Sequence, residues 1–449
     1  MEKFKKIWFG FLMLLLFLPM LQGIFGVVKE KPLDGAFVET PKPNVNFKAL
    51  VNETVQDSLT TYCTEQTGFR KSFIRLNNQL MFSVFGESPS KYAVKGKDDI
   101  YFEESYVISY TGETYVGEDM IEKTTRQVKL IQDMLKAKGV DLLPVFALGK
   151  ASYYPECIPE KYLAKQRETN NYREFLKAFE RHGLNYIDFN EYLCQQKGNE
   201  AHAFYCNLSA HWTVYAASLA MDSLVNYMEA QTGKEQVHLI CTGYEENAPL
   251  MNQDDDVYKM MNLIFPVRHN PIDRPLFEYT EGEKPKVLSI ADSYWWTVWA
   301  WDVSLPQHLF SDGGFWFYNR TVYPEREGVV DVTSLDYKKE IESQDFVLLL
   351  CTEATNHLWP YGFCERYLSA FDVEFMGKSP ADFDAADSLY AAYRSEEIDK
   401  TIERINNTPE WLENVQRQAE EKGVLLEQML YDNAEYAYRM DIQPKGFCH

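Results

Sequence analysis

Short apolar runs alternating with amphipathic stretches constrain this chain more than any other feature. Residues 140–146, 184–187, 287–290 and 346–350 are strand-length and largely apolar, the pattern of strands covered on both faces. Between them lie helical periodicities: residues 118–138 closed by Gly139, residues 170–182 followed by Gly183, and residues 211–227. Strands that alternate with helices build a mostly parallel sheet between helical layers, so the spacing predicts a three-layer α/β domain. The run at 287–290 breaks sharply into Ala291-Asp292-Ser293-Tyr294-Trp295-Trp296. That places Ser293 at a strand's carboxyl end, where open α/β sheets present nucleophiles and bind ligands.

The flanks read differently. Lys3, Lys5 and Lys6 precede residues 7–28, which carry no charge; as a helix this stretch is roughly 33 Å long and spans a hydrocarbon core. The lysines favour a cytoplasmic amino terminus, with the body outside. A cleaved signal peptide is the alternative, although the stretch exceeds a usual h-region and shows no small-x-small cleavage site. Residues 29–48, with Pro32, Pro41 and Pro43, read as a linker. Residues 51–85 read as helical, 95–102 as a turn feeding a strand, and 106–110 as that strand's continuation. Beyond residue 380 the chain is acidic and helix-rich, with Trp411, Leu412, Val415, Leu425, Leu426 and Met429 as an apolar stripe. The expected layout is an anchor at 1–28, a linker and helical segment at 29–94, the α/β domain at 95–379 and a helical extension at 380–449.

Charge and cysteines narrow the function classes. The 449 residues carry a formal net charge of −22, which argues against a nucleic-acid partner. Eight cysteines in an exported body leave disulfides open. Cys194 with Cys206, and Cys351 with Cys364, are the local pairings expected first. No CxxC zinc framework is present, and neither a metal nor a soluble cofactor is expected.

A serine hydroxyl needs a base to become a nucleophile. Among eight histidines, His211 has the best setting: it follows the irregular segment Cys206-Asn207-Leu208-Ser209-Ala210 and opens a predicted helix, with Trp212 beside it. His357 stands in reserve. The sequence around Ser293 is not Gly-x-Ser-x-Gly, so the α/β-hydrolase elbow does not apply. Tyr294, Trp295, Trp296, Trp299, Trp301, Phe315, Trp316, Phe317 and Tyr318 flank the serine. Such rings pack against sugars or, more commonly, build a core.

Taken together, these segments resemble a family. Ala291-Asp292-Ser293 is similar to the Gly-Asp-Ser block of SGNH hydrolase-like domains, and Ser209-Ala210-His211-Trp212 to the Asp-Thr-His-Trp block of alginate O-acetyltransferases of the AlgJ/AlgX type. In that group the histidine block precedes the serine block, as it does here. Residues 95–102 resemble the family's entry strand, 149–156 its lysine-bearing loop, and 315–319 and 353–356 two later blocks. The resemblance covers roughly residues 1–375.

It implies an SGNH-type fold in which Ser293 is the acetylated nucleophile and His211 the general base and acid. The expected triad aspartate is Ser209 instead, and a hydroxyl cannot offset the charge of an imidazolium. Asp254, Asp256 or Glu353 could replace the missing acid, the site could run as a dyad, or it could be inert. The backbone N–H of Ser293, with Asn319 or Asn356, could form an oxyanion hole, and Tyr318 and Lys150 could contact substrate. The activity implied is membrane-anchored transfer of acetyl to an extracellular or cell-envelope polysaccharide. A membrane-bound O-acyltransferase would be the donor partner, at a bacterial inner membrane, with the catalytic domain in the periplasm or outside the cell. The alternatives are a glycan acetyl esterase, or a non-catalytic glycan-binding or scaffold subunit.

Overall fold

The computed structural model describes residues 2–35, 40–52, 55–251, 253–299 and 303–444. They form two compact units, the first drawn from Met1–Glu104, Cys206–Ala210 and Leu250–Asn270, the second from Ser105–Tyr205, His211–Pro249 and Pro271–His449. Cys448 and Trp301 lie outside the described residues.

In the first unit Glu2–Phe25 is one continuous helix, charged only in its first turns and apolar beyond them, with no buried residue. Its length and composition suit a membrane-crossing segment or a signal sequence. The single helix expected over 51–85 is broken into Gln56–Glu65 and Arg70–Leu80. Gly68 sits in the break, pressed against the first helix so closely that a Cβ would stand 2.3 Å from the Pro19 carbonyl. Ala93–Lys95 and Tyr101–Glu103 form an antiparallel ribbon, and the Tyr101 N–H donates to Asn207 O at 2.9 Å, seating the segment 206–210.

The second unit is built on a six-stranded sheet: β1 (Asp141–Phe146), β2 (Ile187–Asp188), β3 (Lys286–Ala291), β4 (Asp312–Phe317), β5 (Thr321–Tyr323) and β6 (Phe346–Cys351). Their spatial order is β2-β1-β6-β3-β4-β5, parallel throughout except for the edge strand β5. Central β6, Phe-Val-Leu-Leu-Leu-Cys, is buried along its whole length, as a strand covered on both faces must be. One face joins a continuous core through Leu142, Phe146, Leu288, Ile290, Val347 and Leu349. Leu143, Val145, Val287, Leu348 and Leu350, pointing the other way, are equally buried.

The helices have identifiable starts and stops. Helix α1 (Glu118–Ala137) carries Glu118 and Asp119 in its first turn and Lys136 in its last, matching the helix dipole. Four further helices matter below: α2 (Lys150–Tyr153), α3 (Asn171–His182), α4 (Val214–Thr232) and α5 (Phe363–Phe375). In α3, Asn170 caps the start by accepting the Arg173 N–H, and Gly183 ends the helix in the left-handed conformation. The extension is three helices, α6 (Ala385–Asn406), α7 (Pro409–Lys422) and α8 (Leu426–Asp441). They place Tyr390, Ile398, Ile405, Val415, Met429 and Tyr438 in the same core as the sheet.

Several local expectations are corrected. Residues 106–110 are helical, within Glu104–Tyr110, burying Tyr106, Val107 and Ser109 at helical spacing. The strand expected at 184–187 pairs only at Ile187 and Asp188. Helix α4 begins at Val214, where Thr213 caps it, so His211 stays in the preceding loop. Leu425 and Leu426 are exposed rather than part of the stripe. Cys194, Cys351 and Cys364 are thiols, so neither expected pairing forms; burial pushes the Cys194 thiol up to about 12.

Candidate functional site

Register aligns the strand ends. Ala291 pairs with Leu350 and with Phe317, and Cys351 pairs with Phe146. The exits of β1, β6, β3 and β4 therefore share one level, and the residues after them collect along the sheet's carboxyl edge. Lys150, Glu353, Asn356, Ser293, Tyr318 and Asn319 all come from these exits.

Ser293 opens a 3-10 turn, Ser293–Trp295, immediately after β3. Asp292 fixes that turn. Fully buried, it accepts the Tyr294 N–H on Oδ1 at 3.0 Å, and on Oδ2 the Thr352 N–H at 2.9 Å, the Thr352 hydroxyl at 2.9 Å and the Thr355 hydroxyl at 2.6 Å. One carboxylate thus caps the serine turn and ties it to the exit of β6. Buried polar groups hydrogen-bonded in this way rigidify the backbone that carries them.

His211 Nε2 lies 2.9 Å from Ser293 Oγ, within reach for proton transfer. The loop carrying it is held on both sides of the ring. Tyr205 bridges Trp212, the Thr213 N–H donates to Phe204 O at 2.9 Å, and the Trp212 indole N–H reaches Tyr294 O at 3.3 Å. The Tyr294 ring lies 5.0 Å from the His211 ring and 6.0 Å from that of Tyr106. The Tyr294 hydroxyl is 3.1 Å from that of Tyr205, which donates to Leu148 O at 2.7 Å. Burial holds both phenols far above their ordinary range, so they stay neutral. The serine and the base expected from sequence are therefore together, between a clamped turn and a buried tyrosine pair.

The other expected residues are placed as follows. Ser209, in the first unit, donates its hydroxyl to Gln253 O at 2.5 Å. Asp254 accepts the Met251 N–H at 2.7 Å. Asp256 accepts the Ala210 N–H at 2.8 Å and that of Val257 at 2.7 Å. Asn252, which begins this run, lies outside the described residues. Glu353 does not serve His211: its carboxylate is occupied by Ala151 and Ser152 at the start of α2. Asn319 is spent on structure, donating to Tyr361 O at 3.1 Å and accepting the Tyr337 hydroxyl at 2.9 Å. Asn356 Oδ1 accepts from Asn171 at 3.3 Å. The Tyr318 N–H donates to Ala291 O at 2.9 Å, and the Tyr318 ring meets Tyr361 edge-on. Lys150 is wholly buried, its ammonium 5.6 Å from the Tyr205 ring centre. Among the described residues the buried His357 Nδ1 meets no hydrogen-bond partner, and burial lowers this imidazole's affinity for a proton.

Half of the described residues of the aromatic block are buried. Tyr294, Trp295, Phe315 and Trp316 are buried, and Trp296 packs edge-on against Phe315, Phe317 and Tyr323. Asp292, Thr352, Thr355 and Tyr205 went unsuspected in the sequence. Only Asp292 left a signal there, as a capping residue directly before a turn. Among the described residues, no group of three His, Cys, Asp or Glu side chains is gathered as a metal ion would need.

Comparison with known proteins adds a family. Residues 94–250 match the family described as "SGNH hydrolase-like domain, acetyltransferase AlgX". The match includes His211 and ends before Ser293. Among solved structures, the O-acetyltransferase domain of Pseudomonas putida AlgJ aligns with 67% of this chain and 99% of its own at 16% identity, with a TM-score of 0.38. Pseudomonas aeruginosa AlgX aligns with 62% and 68% of the two chains at 16% identity and a TM-score of 0.40. Bacillus cereus PatB1, solved with a sulfonyl adduct, aligns with 60% and 97% at 12% identity and a TM-score of 0.39. Superpositions this loose carry no argument about the site. No curated protein matches the sequence.

Proposed function

We propose that this chain, which carries an SGNH hydrolase-like domain of the AlgX acetyltransferase family at residues 94–250, transfers acetyl groups to hydroxyls of a polysaccharide outside the cytoplasmic membrane. The observation that carries the proposal is the 2.9 Å approach of His211 Nε2 to Ser293 Oγ at the exit of β3. The apolar helix Glu2–Phe25 supports anchoring of the body at the membrane, where a membrane-bound O-acyltransferase would supply the acetyl group.

The reaction is a double displacement. Ser293 Oγ attacks the carbonyl carbon of an acetyl donor while His211 Nε2 takes the hydroxyl proton. The donor's leaving group departs with that proton, leaving an acetyl ester on Ser293. A sugar hydroxyl then attacks the ester carbonyl and gives its proton to His211, which returns it to Ser293 Oγ as the ester bond breaks. The Asp292 clamp fixes the turn, so the serine N–H is held in one orientation as a donor to the developing oxyanion.

Incubation of the full chain with p-nitrophenyl acetate, followed by mass spectrometry, tests the reading. An acetyl adduct on Ser293 is expected, absent in Ser293→Ala and slowed by about 10³-fold or more in His211→Ala. No adduct, with equal turnover in all three proteins, defeats both transferase and esterase. Adding an oligosaccharide acceptor separates these two, since acetylated sugar marks a transferase and free acetate alone an esterase.

A further inference from the structure

Glu353 follows Thr352 at the exit of β6. Its side chain is enclosed, with Oε1 accepting the N–H groups of Ala151 at 2.7 Å and Ser152 at 3.2 Å, and Oε2 accepting the Ser152 hydroxyl at 2.6 Å. Gly149 makes room for it: a Cβ there would stand 2.3 Å from the Glu353 carboxyl carbon, although its backbone, at φ −90 and ψ 133, is open to any residue. The segment so gripped continues back to Leu148, whose carbonyl accepts the Tyr205 hydroxyl. Tyr205 meets the Tyr294 hydroxyl, and the Tyr294 ring flanks His211.

Resting on the proposed acyl transfer, we infer that Glu353 is a positioning residue for the His211–Ser293 pair: its carboxylate holds residues 149–152 so that the Leu148 carbonyl orients the Tyr205 hydroxyl and, through it, the Tyr294 ring beside His211. A neutral amide would accept the same two N–H groups without the cost of burying a charge. Burial pushes the Glu353 carboxyl up to about 7, partly offset by Ser152 and Ala151. The carboxylate is thus about half formed near neutral pH and complete above it, against a desolvation penalty. Tyr110, Cys194, Tyr205 and Tyr294 feel its charge, and Lys150, over the Tyr205 ring, precedes the gripped Ala151 in the chain. Burial raises all four, so none loses its proton where Glu353 titrates.

The test uses the full chain and Glu353→Gln, which fixes the neutral state that protonation produces. Acetylation of Ser293 by p-nitrophenyl acetate and Tm are followed between about pH 5.5 and 9. At pH 8 the variant is expected to acetylate about tenfold more slowly, since small misplacements of reacting groups are expensive, while its Tm rises by several degrees. Below pH 6 the two proteins converge in both measurements. A residue that only holds the fold together would lose Tm and keep its pH profile. Equal acetylation at pH 8, or a lowered Tm with a pH profile parallel to the native protein's, overturns the inference. A readout without turnover separates it from the acyl-transfer reading: the His211 ring resonances should show an inflection near pH 7 that Glu353→Gln removes. That inflection, with no acetylation in the native protein, defeats the transferase and keeps the positioning role; its absence defeats the positioning role.

Discussion

Asp292 and Glu353 are both enclosed carboxylates at the carboxyl edge of the sheet, and they are held in different ways. Asp292 accepts four hydrogen bonds drawn from two separate segments, its own turn and the exit of β6. Glu353 accepts three, all from Ala151 and Ser152. The first therefore joins two strand ends whatever happens at β1, whereas the second grips a single turn at the exit of β1. Adjacent residues of one exit, Thr352 and Glu353, serve the two arrangements. The difference teaches that neighbouring carboxylates on one sheet edge can play unlike structural parts, one tying two segments together and the other bracing a single turn.

The largest effect should come from the more heavily bonded group. Asp292→Ala leaves the Tyr294 and Thr352 N–H groups and two threonine hydroxyls without their acceptor, and breaking a buried charged network costs about 3–5 kcal/mol. Urea unfolding should show that loss, and Ser293 should no longer be acetylated at a measurable rate. A loss below about 1 kcal/mol would mean that other groups or water take over the four donors.

Glu353 should act with the opposite sign. Its carboxyl titrates at about 7 in the folded chain against an ordinary value of 4.5. Below the ordinary value both states are protonated and folding carries no penalty from this group. As pH rises from there towards 7, the unfolded chain releases its proton first, so stability falls, and above 7 the deficit is constant at about 3 kcal/mol. The native protein should therefore lose stability relative to Glu353→Gln across that window, as measured by urea unfolding at each pH. A difference that does not vary with pH would break the contrast with Asp292.

Gly149→Ala presses on the same arrangement from outside. The new Cβ overlaps the Glu353 carboxyl group, and overpacking of this kind costs about 1–3 kcal/mol. The double variant Gly149→Ala/Glu353→Ala should recover part of this by removing the overlap, which a thermal-unfolding double-mutant cycle measures.

How much of this was legible before the structure depends on the type of interaction. Apolar runs marked β1, β3 and β6, because buried parallel strands need continuous hydrophobicity. β4 was hidden, since residues 315–319 read as an aromatic block rather than as a strand. Ser293 and His211 were legible because strand exits and loop ends are positional facts. The two carboxylates were not. Asp292 looked like an ordinary capping residue, and Glu353 looked like a possible acid for His211, when its partners lie about two hundred positions earlier in the chain. Long-range hydrogen bonds leave no period in a sequence. The Cys351 and Cys364 pairing failed for a related reason: closeness along the chain says nothing of where a buried strand and the helix after it point their thiols.

The smallest effect bears on why the two carboxylates differ. Thr355 Oγ1 donates to Asp292 Oδ2 at 2.6 Å and also lies 3.0 Å from the Tyr361 hydroxyl. Tyr361 has a single proton and a second acceptor in Leu350 O at 3.2 Å, so it loses nothing when the threonine oxygen is removed. Thr355→Val therefore takes one donor from Asp292 and leaves three, the number Glu353 has. One lost hydrogen bond to a charged group predicts about 1.5 kcal/mol by urea unfolding. If the number of donors is what makes Asp292 rigid, this variant should also slow Ser293 acetylation at neutral pH. If their origin in two segments matters instead, the Tyr294 and Thr352 N–H groups still bridge the serine turn to β6, and acetylation should stay within about twofold of the native rate while stability falls. The second outcome is the one expected, because a capping carboxylate fixes its turn mainly through the backbone donors it accepts.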